Sequence, residues 1–240
     1  MPALIEALIE LGGYYECPKD DNSKRLGPLV GYAGRYDDNG TAKQWVGDKY
    51  FNFAALEKKP RRSLSFIGEL AWKLHLDDGK DVTFCGMPEG GKWVALELAS
   101  WTNGSYIYPE KKVLELATAT SKERAELIFA RHQVIPGGKV FIVEDVMNNF
   151  STTGTGIDLI TRAGGEVCGI VGLLNRSENH ESIFSHRGKD YPITSILRMK
   201  VDEYKQDDPA VADDIKNGNI VWKPKDEWDR LQQAMKLAKK

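Results

Sequence analysis

Apolar residues recur along this chain in two periods, and the switches between them mark its elements. Leu4, Leu8 and Leu11 fall on one helical face with Ile5 and Ile9 beside it, and Gly12-Gly13 ends that helix. Residues 14–47 are rich in Gly, Asp and Lys and show little period; they read as loops with a short helix or strand. Lys49-Tyr50-Phe51-Asn52-Phe53 alternates its aromatic residues as a strand does. Ile67, Leu70, Ala71 and Leu74 predict a helix over 63–76, broken by Asp77-Asp78-Gly79. Residues 81–85 form a short apolar strand, 86–91 a glycine-flanked loop, and Val94, Ala95 and Leu98 a further helix. A strand is expected at 106–108. The charged stretch 109–131 fits partly a helix and partly a long hairpin. Within it Lys122 and Arg124 read as solvated surface.

Pro136-Gly137-Gly138 then turns the chain into its most apolar strand, Val140-Phe141-Ile142-Val143. A polar loop and a helix reaching Arg162 follow. Ala163-Gly164-Gly165 turns into a second buried strand, 166–174, which ends at Asn175-Arg176. Residues 177–191 are polar and hold His180 and His186, and 193–201 is a last strand. Two charged helices, 207–216 and 226–239, close the chain, with Trp222 and Trp228 docking them. Short apolar strands alternating with helices predict an α/β fold with a mostly parallel sheet. Ligands of such sheets bind at the carboxyl ends of the strands. Three candidate loops, at 86–91, 144–155 and 175–176, all follow strands.

Composition narrows the class of partner. The chain has 240 residues, 41% of them hydrophobic and 28% charged, and a formal net charge of −2. Nothing in that balance provides the broad basic field that nucleic acid demands. Cys17, Cys85 and Cys168 lack metal-ligand spacing, and their odd number argues against a disulfide framework. No apolar run approaches the roughly 20 residues that span a bilayer. The N-terminal helix lacks the basic start of a signal peptide. A cytoplasmic protein that binds neither nucleic acid nor membrane is expected.

The candidate chemistry gathers in VFIVEDVMNNFSTTGT, residues 140–155. A buried strand ends in two adjacent carboxylates, Glu144 and Asp145. Amides and hydroxyls follow at a helix N-terminus, where free N–H groups favour a phosphate. Carboxylates repel a phosphate, so they are better matched to neutral hydroxyls such as those of a ribose. A sugar phosphate fits both halves.

This stretch resembles the signature of the type I phosphoribosyltransferases: an apolar strand, two acids, and a hydroxyl-rich loop that cradles the 5′-phosphate of phosphoribosyl pyrophosphate. The usual form reads V-D/E-D-V-x-T-T-G-x-T/S. Val143-Glu144-Asp145-Val146-Met147 fits it. Two registers are open beyond that point. In the gapless one, which the helix length favours, Asn148 and Asn149 stand for the threonines and Phe150 for the glycine. In the other, an insertion brings Thr152-Thr153-Gly154 into the T-T-G slot. The order of further segments is most like that of the orotate phosphoribosyltransferases. Lys49-Tyr50-Phe51-Asn52 resembles an aromatic F-F-N segment at the base, and Gly86–Gly91 occupies the pyrophosphate-loop position. Tyr108-Pro109-Glu110-Lys111-Lys112 resembles the start of the mobile catalytic loop. Residues 131–137 resemble an R-R-G-F…P-G run. Leu174-Asn175-Arg176 resembles a D-R pair whose arginine meets the orotate carboxylate. The loop string R-K-E-x-K-x-H-G is missing.

The resemblance implies a type I phosphoribosyltransferase-like core at 61–204, a small N-terminal hood at 1–60 and a C-terminal helical extension at 205–240. It implies transfer of phosphoribose to orotate, with Glu144, Asp145, Lys111 and Lys112 catalytic. Asn148, Asn149, Ser151, Thr152, Thr153, Gly90, Gly91 and Arg131 would bind phosphoribosyl pyrophosphate, and Arg176 and Phe51 the base. Mg²⁺ would arrive on the substrate without direct protein ligands, and a homodimer is expected. The alternatives are a different base, or a regulator that binds phosphoribosyl pyrophosphate without catalysis.

Overall fold

The computed structural model describes residues 1–76, 81–115 and 124–237. The chain divides into two compact units, Met1–Lys59 with Val201–Lys240, and Pro60–Lys200. In chain order the first unit begins with α1 (Ala3–Glu10), β1 (Tyr14–Glu16), β2 (Leu29–Asp38), β3 (Thr41–Gly47), β4 (Lys49–Phe51) and α2 (Ala54–Glu57). The second unit runs through α3 (Pro60–Lys73), β5 (Val82–Gly86), α4 (Gly91–Thr102) and β6 (Ser105–Ile107). It continues with β7 (Glu110–Glu115), β8 (Arg124–Ile128), β9 (Lys139–Met147) and α5 (Ser151–Arg162). β10 (Glu166–Asn175), β11 (Ile183–His186) and β12 (Lys189–Arg198) complete it. The tail returns to the first unit as α6 (Ala212–Lys216), β13 (Ile220–Val221) and α7 (Trp228–Leu237).

The second unit is the expected α/β core. Its sheet has six strands in the order β11-β12-β10-β9-β5-β6, parallel except where β11 pairs antiparallel with β12. Alternation along the strands gives each face its own contacts. Cys85 and Ile142 join Ile157 and Ile160 of α5 in one buried cluster, whereas Phe84 and Phe141, one residue away on each strand, stack on each other. α3 and α4 pack together and against the sheet.

The strand order also locates a switch point. From β5 the chain moves outward to β6 on one side; from β9 it moves through β10 to β12 on the other. The crevice between two oppositely wound halves opens at the carboxyl ends of β5 and β9, where ligands of such sheets bind. Register brings these ends level: Gly86 lies opposite Val143.

Three stretches differ from or settle the expectation. Residues 14–47 are largely strand: β2 and β3 pair antiparallel across Asn39-Gly40, both at positive φ (51° and 82°). Asn-Gly is the residue pair that such a hairpin turn requires, and its two-residue signal was swamped by the polar flanks. Residues 109–131 take the hairpin form among the described residues, as β7 and β8 pair antiparallel. Lys122 and the Asp77-Asp78-Gly79 break lie outside the described residues. The polar stretch 177–191 contains a further hairpin, β11–β12, turning at Arg187 and Gly188 with φ 50° and 76°.

In the first unit the tail is more than helix. β13 pairs parallel with β2, and Trp228 Nε1 donates to the Gly12 carbonyl at 2.8 Å. Trp222 packs against Leu29, Val46, Val211 and Ile220. No helix among the described residues is long and apolar enough to cross a membrane.

The β2–β3 turn is directly testable. A Cβ on Gly40 would meet nothing within 4 Å, so only its left-handed backbone resists a side chain. Gly40→Ala is expected to cost about 1 kcal/mol in denaturant unfolding, against no loss for Thr41→Ala on the exposed strand start. Equal stability of Gly40→Ala and wild type would contradict the turn.

Candidate functional site

The loop between β5 and α4 rests on the end of β9. The Met87 N–H donates to the Val143 carbonyl at 2.9 Å. A Cβ on Gly91 would sit 2.1 Å from the Val143 carbonyl oxygen, and one on Gly90 would sit 2.0 Å from Asp145 Oδ2. Only glycine permits this approach, which sets the loop backbone beside the acidic pair. The Pro88–Glu89 peptide is cis. The structure thus brings Gly90 and Gly91 together with Asp145.

The two carboxylates face different surroundings. Asp145 is half-buried, and its Oδ1 accepts the Val146 N–H at 2.9 Å. Glu144 is only 9% exposed, and its Oε1 is 3.1 Å from the buried Thr153 hydroxyl in the first turn of α5. Burial, and then repulsion from Asp145, push the Glu144 carboxyl up to about 8, against a smaller downward pull from Thr153. Glu144 is therefore held toward its neutral form at pH 7 when no ligand is near.

The connection from β9 to α5 has an unusual hinge. Asn149 Oδ1 accepts the Ser151 N–H at 3.1 Å, capping the helix from outside. Phe150 occupies the left-handed region at φ 58°, and its ring is 3% exposed. In the gapless register this is the position of the family's glycine. The backbone keeps a glycine-like conformation although the residue is aromatic. Ser151 and Thr152 are exposed at the helix start. A helix N-terminus lined by hydroxyls and amides suits a phosphate.

Arg176 follows β10, the next strand over. It is 7% exposed, and its N–H donates to the Met147 carbonyl at 2.9 Å, which sets it beside the start of the loop. The preceding Asn175 is fully buried. Its Nδ2 donates to the carbonyls of His180 and Glu181 at 2.8 and 3.1 Å, and its Oδ1 accepts the Ser177 N–H. An aspartate there could not donate to two carbonyls, which explains why an amide replaces the acid. The Arg198 guanidinium donates to the carbonyls of Asn175 and Ser177. Asn175 and Arg198 thus clamp the turn that carries Arg176.

Lys111 and Lys112 stand exposed on β7, with the Lys112 ammonium 3.9 Å from Glu126 across the hairpin. Arg131 is exposed and 3.4 Å from Glu110. Phe51 belongs to the first unit and is buried against Tyr14, with ring centroids 5.5 Å apart. Sequence reasoning passed over Lys92. Its ammonium is 2.8 Å from Glu89 of the glycine loop and 5.1 Å from the Tyr108 ring. The Gly90-Gly91-Lys92 run after a strand was the available signal. Among the described residues no group of three or more His, Cys, Asp or Glu side chains is placed to hold a metal ion.

No family model matches the chain. It is 27% identical over 158 residues to an orotate phosphoribosyltransferase of Carboxydothermus hydrogenoformans, spanning 65% of this chain and 74% of that one. The chain resembles the phosphoribosyltransferases. A second similarity, to an adenine phosphoribosyltransferase of Desulforamulus reducens, is 31% over 70 residues, or 28% of this chain and 37% of the relative. Among solved structures, the orotate phosphoribosyltransferase of Aeropyrum pernix aligns with a TM-score of 0.49 at 14% identity, covering 82% of this chain and 93% of that one. The phosphoribosyltransferase resemblance draws on both orotate and adenine enzymes.

The neutral Glu144 gives a pH test. Its ordinary value is 4.5 and the folded one about 8. The folded state therefore holds the extra proton between those values. Stability from the neutral form is complete below about 4.5 and is lost as pH rises through about 8. Thermal and urea unfolding between pH 5 and 9 should show wild type losing on the order of a few kcal/mol more than Glu144→Gln, whose amide does not titrate. Parallel curves for the two proteins would show that Glu144 titrates normally.

Proposed function

We propose that this protein transfers a phosphoribosyl group from phosphoribosyl pyrophosphate to orotate, giving orotidine 5′-monophosphate and pyrophosphate. The observation that carries the reading is the level register of Gly86 and Val143, which sets a glycine loop, an acidic pair and a helix N-terminus side by side. A pyrophosphate, a ribose and a 5′-phosphate need those three surroundings in one place. The similarity to an orotate phosphoribosyltransferase over 65% of the chain supports the same reading.

In the reaction the bond from ribose C1 to pyrophosphate oxygen breaks, and its electron pair leaves with pyrophosphate. A ring nitrogen of orotate supplies the pair for the new bond and gives up its proton, which leaves with pyrophosphate or to water. Between these events the sugar carries positive charge. Asp145 and Glu144 receive the ribose hydroxyls, and the Asp145 carboxylate favours the cationic sugar. Asn148, Asn149, Ser151, Thr152 and Thr153 hold the 5′-phosphate, and Gly90 and Gly91 bring backbone N–H groups to the pyrophosphate. Lys111, Lys112 and Arg131 neutralise the leaving group. Arg176 pairs with the orotate carboxylate, a match of guanidinium to carboxylate that is strong where water is scarce.

Mg²⁺ fits this donor set as a passenger of the substrate. The ion keeps several waters and prefers phosphate, hydroxyl and water oxygens, so it would ride on the pyrophosphate with no direct protein ligand. When bound it would offset charge on the pyrophosphate. The cytoplasmic setting belongs to the same reading and is supported by three cysteines that are all free.

The reading also carries a homodimer. α3 and α4 pack together, and Trp72, Trp101, Leu64 and Leu96 stand exposed on them, the two tryptophans by 73% and 54%. On the exposed face of α3, Arg61 and Arg62 precede Glu69 by about two turns. A second copy laid antiparallel across this face would set each arginine pair against the partner's acid, as a two-fold contact requires. Light scattering should give a dimer for wild type and a folded monomer for Trp72→Lys with Trp101→Lys. A dimer that survives both changes would move the interface elsewhere.

The activity test incubates the protein with Mg-phosphoribosyl pyrophosphate and a panel of bases and measures pyrophosphate release. Release specific to orotate, reduced at least 100-fold in Asp145→Asn, is expected. Arg176→Ala should raise the orotate KM at least tenfold and leave phosphoribosyl pyrophosphate binding intact. Release with adenine alone would assign a different base. Tight binding with no release from any base would make the protein a phosphoribosyl pyrophosphate-binding regulator.

A further inference from the structure

Phe150 holds a left-handed backbone, φ 58°, a conformation that the Cβ of a bulky L-residue resists. Such a conformation persists only where its surroundings over-determine it. The ring of Phe150 shows what does so. It stacks on Phe184 of β11 with centroids 4.9 Å apart and planes at 23°, and it meets the edge of His180 at 5.1 Å. His180 in turn packs edge-on against Phe184 at 5.0 Å. Phe184 stacks on His186 at 5.9 Å, and His186 Nε2 lies 2.9 Å from Asp158 Oδ1. Arg187 donates to both Asp158 oxygens, at 2.7 and 2.9 Å. Asp158 sits two turns along the helix that Phe150 begins. The contacts therefore form a closed circuit: the start of α5, Phe150, Phe184, His186, Asp158 and back to α5.

We propose that Phe150 is a positioning residue for the sugar phosphate, its ring pinning the Asn148–Thr153 segment in a binding-ready shape before any ligand arrives. The inference rests on the phosphoribosyl reading above. Its physical content is the ordering cost of binding. A loop that hinges on glycine samples many conformations and loses that freedom when it closes on a phosphate. Here the hinge keeps the glycine-like backbone, while the aromatic stack removes the freedom in advance. Asn149 adds to this by capping Ser151, and Thr153 does so through its bond to Glu144. Preorganisation of this kind improves affinity without adding a contact to the ligand.

The stack can be loosened from outside the loop. Phe184 touches Phe150 and is not itself among the proposed ligand contacts, so Phe184→Leu removes the ring partner and leaves every phosphate-binding side chain chemically unchanged. Phe150→Gly relaxes the backbone and removes the ring together. Ribose 5-phosphate and phosphoribosyl pyrophosphate binding are measured by calorimetry, and KM and kcat by pyrophosphate release. Each variant is expected to raise the dissociation constant for both compounds and the phosphoribosyl pyrophosphate KM by about tenfold, with kcat within about twofold of wild type. Leu70→Ala, in the buried face of α3, controls for general destabilisation and should lower the melting temperature without moving either constant. Should Phe150→Gly fail to fold, Phe184→Leu alone decides. Wild-type affinity in a folded Phe184→Leu would show that Phe150 merely fills the core. Failure of wild type to bind either compound would instead overturn the phosphoribosyl reading itself.

Discussion

A side chain on Gly91 would fall 2.1 Å from the Val143 carbonyl oxygen, and one on Gly90 would fall 2.0 Å from a carboxylate oxygen of Asp145. These two absences let the β5–α4 loop lie on the end of β9. The approach is possible because β5 and β9 are neighbours and parallel, with Gly86 level with Val143. It matters because successive connections leave these two strands in opposite directions. The loop on one and the loop on the other are therefore not divided by a covering helix. A Cβ at either glycine would lift the loop off the strand and separate its backbone from the acidic pair. The rest of the site is arranged around that contact: Thr153 behind Glu144, the hinge at Phe150, and Arg176 one strand further on.

Electrostatics follows from the same packing. Two adjacent carboxylates at a strand end would repel if both were ionised, and the structure resolves this by burying one of them. Glu144 turns inward to Thr153 and is held toward its neutral form by desolvation, while Asp145 remains half-exposed and bonded to its neighbour's N–H. The pair divides by environment although the two residues are adjacent and alike in chemistry. The buried guanidinium of Arg176 sits on the neighbouring strand end, its turn clamped by Asn175 and Arg198. On the proposed function the acid at one strand end would face the cationic sugar and the guanidinium at the next would face the anionic base.

The sheet, its parallel pairing and the position of the acidic pair were legible because buried parallel strands read as short apolar runs, as at Val140-Phe141-Ile142-Val143. The helices around them declared themselves through their period. What escaped notice depended on pairs of residues or on distant partners. The β2–β3 hairpin hid among Gly, Asp and Lys because the strands there are half-solvated and their signal rests on Asn39-Gly40. The charged stretch 109–131 left helix and hairpin open, since residues 111–114 of β7 are all exposed and show no alternation, although Leu127 of β8 packs against the core. Arg198 carried no sign of its part, because what it clamps is the carbonyls of Asn175 and Ser177, brought to it by β10–β12 pairing. Lys92 was visible in Gly90-Gly91-Lys92, but its place beside Glu89 and Tyr108 required the loop to be built.

At two positions where the chain departs from the phosphoribosyltransferase pattern, local structure accommodates the residue found. Asn175 stands where the pattern has an acid, and its amide makes two donor bonds to carbonyls that no carboxylate could make. In the gapless register Phe150 stands where the pattern has glycine, and a buried aromatic stack supports the backbone conformation that glycine would adopt freely. In both cases the side chain serves the local backbone geometry. A motif search scores such positions as mismatches, because it compares side chains. The constraint acts on the backbone, and any side chain whose surroundings hold that backbone in place satisfies it. Surroundings of this kind come from β11 and from the turn after β10, segments that are polar or irregular in sequence, so the compensation becomes visible only once the chain is folded.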